Sequence, residues 1–441
     1  MWLLPLTSRL AYLAARGFYR LTVDGAPVPQ SGPVLLVANH PNSLVDAVVV
    51  AAVARRPVRF LAKAPLFTDR KVGWLVRATG AIPVYRQADD PAQMARNADM
   101  FRAVHTALAE GAAIAVFPEG TSHSGPSLVP LRTGAARIAL GAAAERGGSL
   151  PILPVGIVLR DKATFRSETH VVVGSAVEWD DLAAAGAGDT AAVQALTGRI
   201  GAALRSVTVN LAAWEDAPLV EAAESVWSAE REGAGSAAAR VGRLGVAAEL
   251  LERLRASSDR RWREIAHRLL RHRRSLERLG LEPGDLHRDL RTRTAVRWSL
   301  RRLHLALAPL ALLALVGAAL WWPPYRALDA IVRRGRLERD VVSTHKLLGG
   351  MALFAAWLVV LVVVATGFWG WVGGVATVLL APAAGATSLW VWERWESAWR
   401  DARRFVMLRR HPRTLSRLRR RQREIAERLD DLLVSSHPTV P

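Results

Sequence analysis

The residues of this chain best suited to chemistry are a histidine and an aspartate six positions apart, His40 and Asp46, at the end of the run Val34-Leu-Leu-Val-Ala-Asn-His-Pro-Asn-Ser-Leu-Val-Asp46. Neutral imidazole, with a reference pKa near ~6.5, can take a proton from a hydroxyl at cellular pH when a carboxylate fixes its tautomer and stabilises the imidazolium. Asp46 is the sole acidic residue between Gly25 and Phe67, so a local carboxylate partner for His40 has to be this one. Taken alone, the pair also matches an ordinary loop hydrogen bond. Other polar clusters follow apolar runs in the same way. Gly80-Ala-Ile-Pro-Val-Tyr-Arg86 delivers an arginine just past a strand. Phe117-Pro-Glu-Gly-Thr-Ser122 delivers Glu119, with a glycine that lets backbone approach a ligand and exposes amides to an oxyanion or phosphate. Pro130-Leu-Arg-Thr-Gly134 sets Arg132 at a helix start, a natural anion site. One base, one carboxylate, two arginines and a glycine turn describe a site that activates a hydroxyl on a phosphate-bearing substrate.

Such a site has to be held by rigid elements. The apolar run Val34–Ala38 reads as a strand buried on both faces, which puts His40 at a carboxyl end, where open α/β sheets form their ligand crevice. Between Gly32 and about Trp179, strands and helices alternate. Val34–Ala38, Val58–Ala62, Ala81–Tyr85, Ile114–Phe117, Ile152–Leu159 and His170–Val177 read as strands, Asp90–Glu110 and Gly134–Glu145 as helices. The fold class expected is α/β, a sheet flanked by helices, followed by an α-helical region with C-terminal transmembrane helices. Residues 1–31 hold an amphipathic membrane-interface helix, with Leu3, Leu6, Leu10 and Leu13 at helical spacing. The sheet domain is expected over 32–210, a charged helical region over 211–302, a hydrophobic region over 303–392 and a basic helical tail over 393–441.

A net charge of +20 and a pI near 11.4 call for an anionic partner, nucleic acid or an anionic membrane. The basic helices interleave with Glu and Asp and lack the stacking aromatics of a nucleic-acid module, which favours anionic lipid and no nucleic acid. The absence of cysteine excludes disulfides, thiolate metal sites and a cysteine nucleophile. Leu303–Trp322, Leu347–Phe368 and Val372–Trp392 approach or exceed the ~20 residues that span a bilayer, and tryptophans stand at their ends. The expectation is an integral membrane protein. Arginine-rich flanks on both sides ask for an even number of crossings with the catalytic domain facing the cytoplasm, so Leu347–Trp392 reads as a hairpin while Leu303–Trp322 is left open, ending at Pro323-Pro324.

The four clusters together resemble the glycerolipid acyltransferase family, which includes bacterial lysophosphatidate and glycerol-3-phosphate acyltransferases. The likeness covers roughly Pro33–Gly156, and Phe-Pro-Glu-Gly-Thr is its specific mark. It implies His40 as general base and Asp46 as its orienting partner. It implies Arg86 as ligand of the substrate phosphate, and Glu119, Gly120 and Thr121 as the substrate-positioning block. Lys63 and Arg132 fall where the family often has basic residues. The family usually has four residues between its histidine and aspartate, whereas Pro41-Asn-Ser-Leu-Val45 makes five, as in a fungal-type glycerol-3-phosphate/dihydroxyacetone-phosphate branch. The implied reaction is direct acyl transfer from acyl-CoA or acyl-carrier protein to a glycerol-phosphate hydroxyl, with no metal and no cofactor, at the cytoplasmic (inner) membrane. Two other readings stay open. One is a serine hydrolase using Ser43, Ser122 or Ser124 with His40 or His123; the other is a non-catalytic basic membrane protein.

Overall fold

The computed structural model describes residues 4–70, 72–86, 91–231, 235–256, 260–287, 308–335 and 342–436. Leu3, Asp90 and residues 303–307, on which parts of the sequence reading fall, lie outside them. The chain divides into two compact units: Met1–Asp216 with Ser236–Glu249 and Glu338–Thr344, and Ala217–Gly235 with Leu250–Leu337 and His345–Pro441.

The first unit is built on β1 (Arg20–Gly25), β2 (Val34–Ala38), β3 (Val58–Lys63), β4 (Ile82–Val84), β5 (Ala113–Val116), β6 (Ile152–Leu159) and β7 (Glu168–Val173), in the order β1-β7-β6-β2-β5-β3-β4. Neighbours run parallel except β6 and β7, which are antiparallel. Strand β2 lies mid-sheet and all five of its residues are buried, as an uninterrupted apolar run requires. Helices α1 (Leu4–Phe18), α2 (Leu44–Ala54), α3 (Pro65–Thr68), α4 (Gly73–Ala78), α5 (Asn97–Ala109), α6 (Gly134–Arg146) and α7 (Thr190–Ser206) complete the α/β fold. Small side chains dominate α6, so it packs close: Ala135, Ala136, Ala139, Ala142 and Ala143 join Val104, Leu108, Leu196 and Ile200 over Leu35 and Ile114 in one core.

Two elements differ from the sequence reading, and α1 follows it. Strand β7 begins at Glu168 and ends at Val173 because it pairs with β1, a strand whose half-exposed residues carry no apolar signature. The helix expected from Asp90 is a 3₁₀ turn over Pro91–Arg96, and α5 starts only at Asn97. There the Asn97 side chain is tied to the end of β4, accepting from the Tyr85 N–H (3.0 Å) and donating to its carbonyl (2.7 Å). Helix α1 buries Ser8, Ala11, Ala15 and Phe18 and leaves Leu6, Leu10 and Leu13 exposed, which is the amphipathic pattern in the opposite sense to a core helix.

The second unit is helical. It contains α8 (Ala217–Arg231), the end of α9 (Ala237–Ala256), α10 (Arg260–Leu279), α11 (Ala308–Arg334), α12 (Val342–Arg410) and α13 (Pro412–Ser436). Ala222 and Val226 of α8, Ile265 and Leu269 of α10, and Ile425, Ala426 and Leu429 of α13 share one buried cluster. Polar ties reinforce it: the Trp227 indole donates to Asp430 at 2.7 Å, and buried His272 meets Gln422 at 3.1 Å.

Helix α12 is two helices joined at Gly370, whose φ of 68° and ψ of −169° interrupt the helical path. Trp357 and Ala384 would stand about 40 Å apart in a straight helix. Both instead meet neighbouring residues of α11: the Trp357 indole donates to the Leu320 carbonyl at 2.9 Å, and a Cβ on Gly317 would fall 2.1 Å from the Ala384 carbonyl oxygen. The chain therefore reverses at Gly370 into a hairpin. Helix α11 does not end at the proline pair but continues through it to Arg334. Pro324 removes the N–H that would reach the carbonyl four residues back, that of Leu320, and the Trp357 indole takes its place.

Candidate active site

Strands β2, β5, β3 and β4 are mutually parallel, so their carboxyl ends share one edge of the sheet, and the sequence clusters leave from that edge. His40 follows β2, Lys63 ends β3, Arg86 follows β4 and Glu119 follows β5. The Asn39 side chain extends the β2–β6 ladder by one rung. It accepts from Ile157 N–H at 2.7 Å and donates to the Ile157 carbonyl at 3.0 Å, which fixes the backbone immediately before His40.

His40 Nδ1 lies 2.9 Å from Asp46 Oδ2. The longer spacing is absorbed at Ser43, a non-glycine residue held at φ 49°, which lets α2 begin early enough to bring Asp46 in its first turn under the ring. Asp46 is fully buried; the same Oδ2 accepts the Asn42 N–H at 2.6 Å, and Oδ1 has no hydrogen-bond partner among the described residues. Burial raises its carboxyl pKa, while the His40 hydrogen bond and charge, the Asn42 amide and Lys162 pull it down. When Nδ1 donates its hydrogen to the Asp46 carboxylate, the lone pair stands on Nε2. The ring stacks on Phe117 with centroids 4.0 Å apart, and the His40 side chain is 19% exposed, enough to be reached.

Glu119 sits behind this pair, 3% exposed. Its Oε1 accepts the His40 N–H at 2.8 Å, and its Oε2 accepts from Val129 N–H at 3.2 Å and from His123 Nε2. Gly120, at φ 72°, donates its own N–H to the Phe117 carbonyl at 3.0 Å. The expected oxyanion role for this particular amide therefore does not fit, since the turn already uses it. The same glycine gathers both arginines: Arg86 Nη1 donates to its carbonyl at 3.0 Å, and a Cβ there would lie 3.2 Å from Arg132 Cγ. Arg132, Lys63 and Thr121 are exposed and Arg86 is half-buried.

Sequence reasoning missed the residues that brace the loop. The Tyr19 hydroxyl donates to the Lys162 carbonyl at 2.6 Å and accepts from the Asn42 side chain at 3.0 Å; burial pushes its pKa up. Lys162 Nζ donates to the Pro41 carbonyl at 2.8 Å and to Ser124 Oγ at 3.1 Å. Tyr19 and Lys162 lie far from the motif in sequence, and no local pattern signals them. The sequence reading names His123 only as a partner for a serine; its four-residue spacing from Glu119 could have signalled the pairing seen here.

The parallel part of the sheet thus presents a histidine–aspartate pair at its carboxyl edge, with two arginines beside the same loop. Residues 20–158 match the Acyltransferase family model. The chain is 34% identical to glycerol-3-phosphate O-acyltransferase 2 of Saccharomyces cerevisiae over 19% of its own length and 11% of that protein's. It is 31% identical to a 1-acyl-sn-glycerol-3-phosphate acyltransferase of Chlamydomonas reinhardtii over 29% of its own length and 37% of that protein's. The crystal structure of PlsC, the 1-acyl-sn-glycerophosphate acyltransferase of Thermotoga maritima, aligns with 44% of this chain and 76% of its own at 19% identity, with a TM-score of 0.32. Residues 20–158 are thus similar to the acyltransferase domains of glycerolipid acyltransferases, and the chain spans well under half the length of the two curated relatives named.

Proposed function

We propose that this protein moves a fatty acyl group from a thioester, acyl-CoA or acyl-carrier protein, to a hydroxyl of glycerol-3-phosphate or lysophosphatidate. The observation that carries the reading is the 2.9 Å contact between His40 Nδ1 and buried Asp46, beside two arginines gathered on Gly120. His40 Nε2 takes the hydroxyl proton as the acceptor oxygen attacks the thioester carbonyl. The tetrahedral intermediate collapses with loss of thiolate, which recovers the proton from the imidazolium, and Asp46 steadies the cation meanwhile. Arg86 and Arg132, with Lys63 one strand over, hold the acceptor phosphate. A guanidinium fork grips a phosphate dianion well, so Arg86→Ala is expected to raise acceptor KM more than it lowers kcat.

The geometry disfavours serine hydrolysis. Ser43 and Ser122 hydrogen-bond to each other at 3.2 Å, and among the described residues no serine oxygen bonds to His40 or His123. The deciding assay offers glycerol-3-phosphate, dihydroxyacetone phosphate and lysophosphatidate separately to membranes containing the protein. Transfer to one of them, lost by about 10²–10⁴-fold in His40→Ala, supports the reading. Acyl-CoA hydrolysis indifferent to acceptor would overturn it.

The reading includes a place in the cytoplasmic membrane. Helix α12 is long and apolar enough to cross a bilayer, and only 6% of its most apolar window is buried, unlike a core helix. Helices α8 and α10 precede the apolar helices and α13 follows them, yet the three share one core, so they stand on one side of the membrane. The crossings between them are then even in number. The hairpin about Gly370 supplies two, and α11 packs against it without crossing.

A further inference from the structure

We propose that His123 is a positioning residue for catalysis: its imidazole steadies the Glu119 carboxylate that holds the His40 N–H, while its own main-chain N–H holds the His40 carbonyl. The inference rests on His40 being the base.

Both peptide groups of His40 end on these two residues, the N–H on the Glu119 side chain and the carbonyl on the His123 main chain. Its N–H donates to Glu119 Oε1 at 2.8 Å, and its carbonyl accepts the His123 N–H at 3.1 Å. Asp46 fixes the His40 ring while Glu119 and His123 fix its main chain, and two restraints at right angles of function define one ring position. Glu119 does this only as a carboxylate, because it faces three donors: the N–H groups of His40 and Val129 and the ring of His123.

The proton on His123 is also assigned. Its Nδ1 accepts the Gly125 N–H at 3.0 Å, so Nδ1 carries the lone pair and Nε2 the hydrogen that goes to Glu119. Both ring nitrogens are thereby occupied within the protein. His123 has no nitrogen left for substrate, which separates it from His40 and excludes it as a second base. Gly125 closes the arrangement, since a Cβ there would lie 2.9 Å from His123 Nδ1.

The test compares full-length protein in membranes carrying His40→Ala, His123→Ala, His123→Gln and Gly125→Ala. His123→Ala should lower kcat about 10- to 100-fold while both KM values stay within about twofold, the signature of a misplaced base rather than a lost substrate contact. His123→Gln keeps an N–H donor for Glu119 and should recover most of that loss. Gly125→Ala adds only a methyl, displaces the ring and should resemble His123→Ala; it decides the matter if His123→Ala fails to accumulate. A kcat within twofold of the parent in His123→Ala, equal loss in His123→Gln, or a rise confined to KM would each overturn the proposal. If His40→Ala itself remains active, the general-base reading fails and this one with it. An inactive His40→Ala beside a fully active His123→Ala removes the positioning role alone.

Discussion

Asp46 sits where an ionised carboxylate is costly, fully buried and with one oxygen unpartnered among the described residues, and burial raises its pKa for that reason. The folded chain binds this proton more tightly than the unfolded chain, so the contribution of Asp46 to stability declines as pH rises above the ordinary carboxylate value. Asn in its place carries no charge to bury. Asp46→Asn should therefore raise the unfolding temperature relative to the parent, by a margin that grows as pH rises above the ordinary carboxylate value. The same change should lower activity by roughly 10³–10⁴-fold, because the amide donates to Nδ1 and moves the imidazole proton to Nε2. Thermal unfolding in detergent across pH, read beside acyl transfer, checks both; a variant that is less stable at neutral pH would show that the His40 contact outweighs burial.

At the scale of elements, side-chain amides pin the loops where they leave the sheet. Asn39 holds Ile157 after β2, and Asn97 holds Tyr85 after β4, each through a backbone N–H and carbonyl. Asn97 thus governs where Arg86 begins, although it never reaches the edge of the site. Asn97→Ala should cost about 1–3 kcal/mol of stability, since it leaves two backbone groups unpaired. It should also raise the KM for the phosphate-bearing acceptor more than that for the thioester. Equal effects on both substrates would detach Arg86 from phosphate binding.

For the whole molecule, the even number of crossings is open to a direct test because the chain has no cysteine of its own. Single cysteines at Arg274 and Ser416, both on the helices that share a core, should react with an impermeant maleimide from the same side of sealed vesicles. A cysteine at Trp371, beside the Gly370 reversal, should react only from the other side. Labelling of Arg274→Cys and Ser416→Cys from opposite sides would require an odd number of crossings. High salt or carbonate should leave the full chain in the membrane, since apolar spans are insensitive to ionic strength, and release by either would place α12 outside the bilayer.

Local patterns determined a great deal. The apolar run Val34–Ala38 is the buried strand, the polar residues after it stand at a carboxyl end, and Asp46 is the partner of His40. The apolar stretches were legible for the same reason: strand burial and hydrocarbon-length runs are written in neighbouring residues. What only the tertiary structure decided depends on residues that sequence separates. Strand β1 exists as a strand because β7 pairs with it, some 150 residues on, and its own half-exposed pattern is mute. The proline pair did not end α11, because the indole of Trp357 satisfies a carbonyl that Pro324 orphaned. The basic stretch over Pro412–Ser436 looked like a solvated tail, yet Ile425, Ala426 and Leu429 are buried against α8 and α10. A charged helix with a narrow apolar stripe reads alike whether that stripe meets water, lipid or another helix, and its partner is fixed by long-range packing alone.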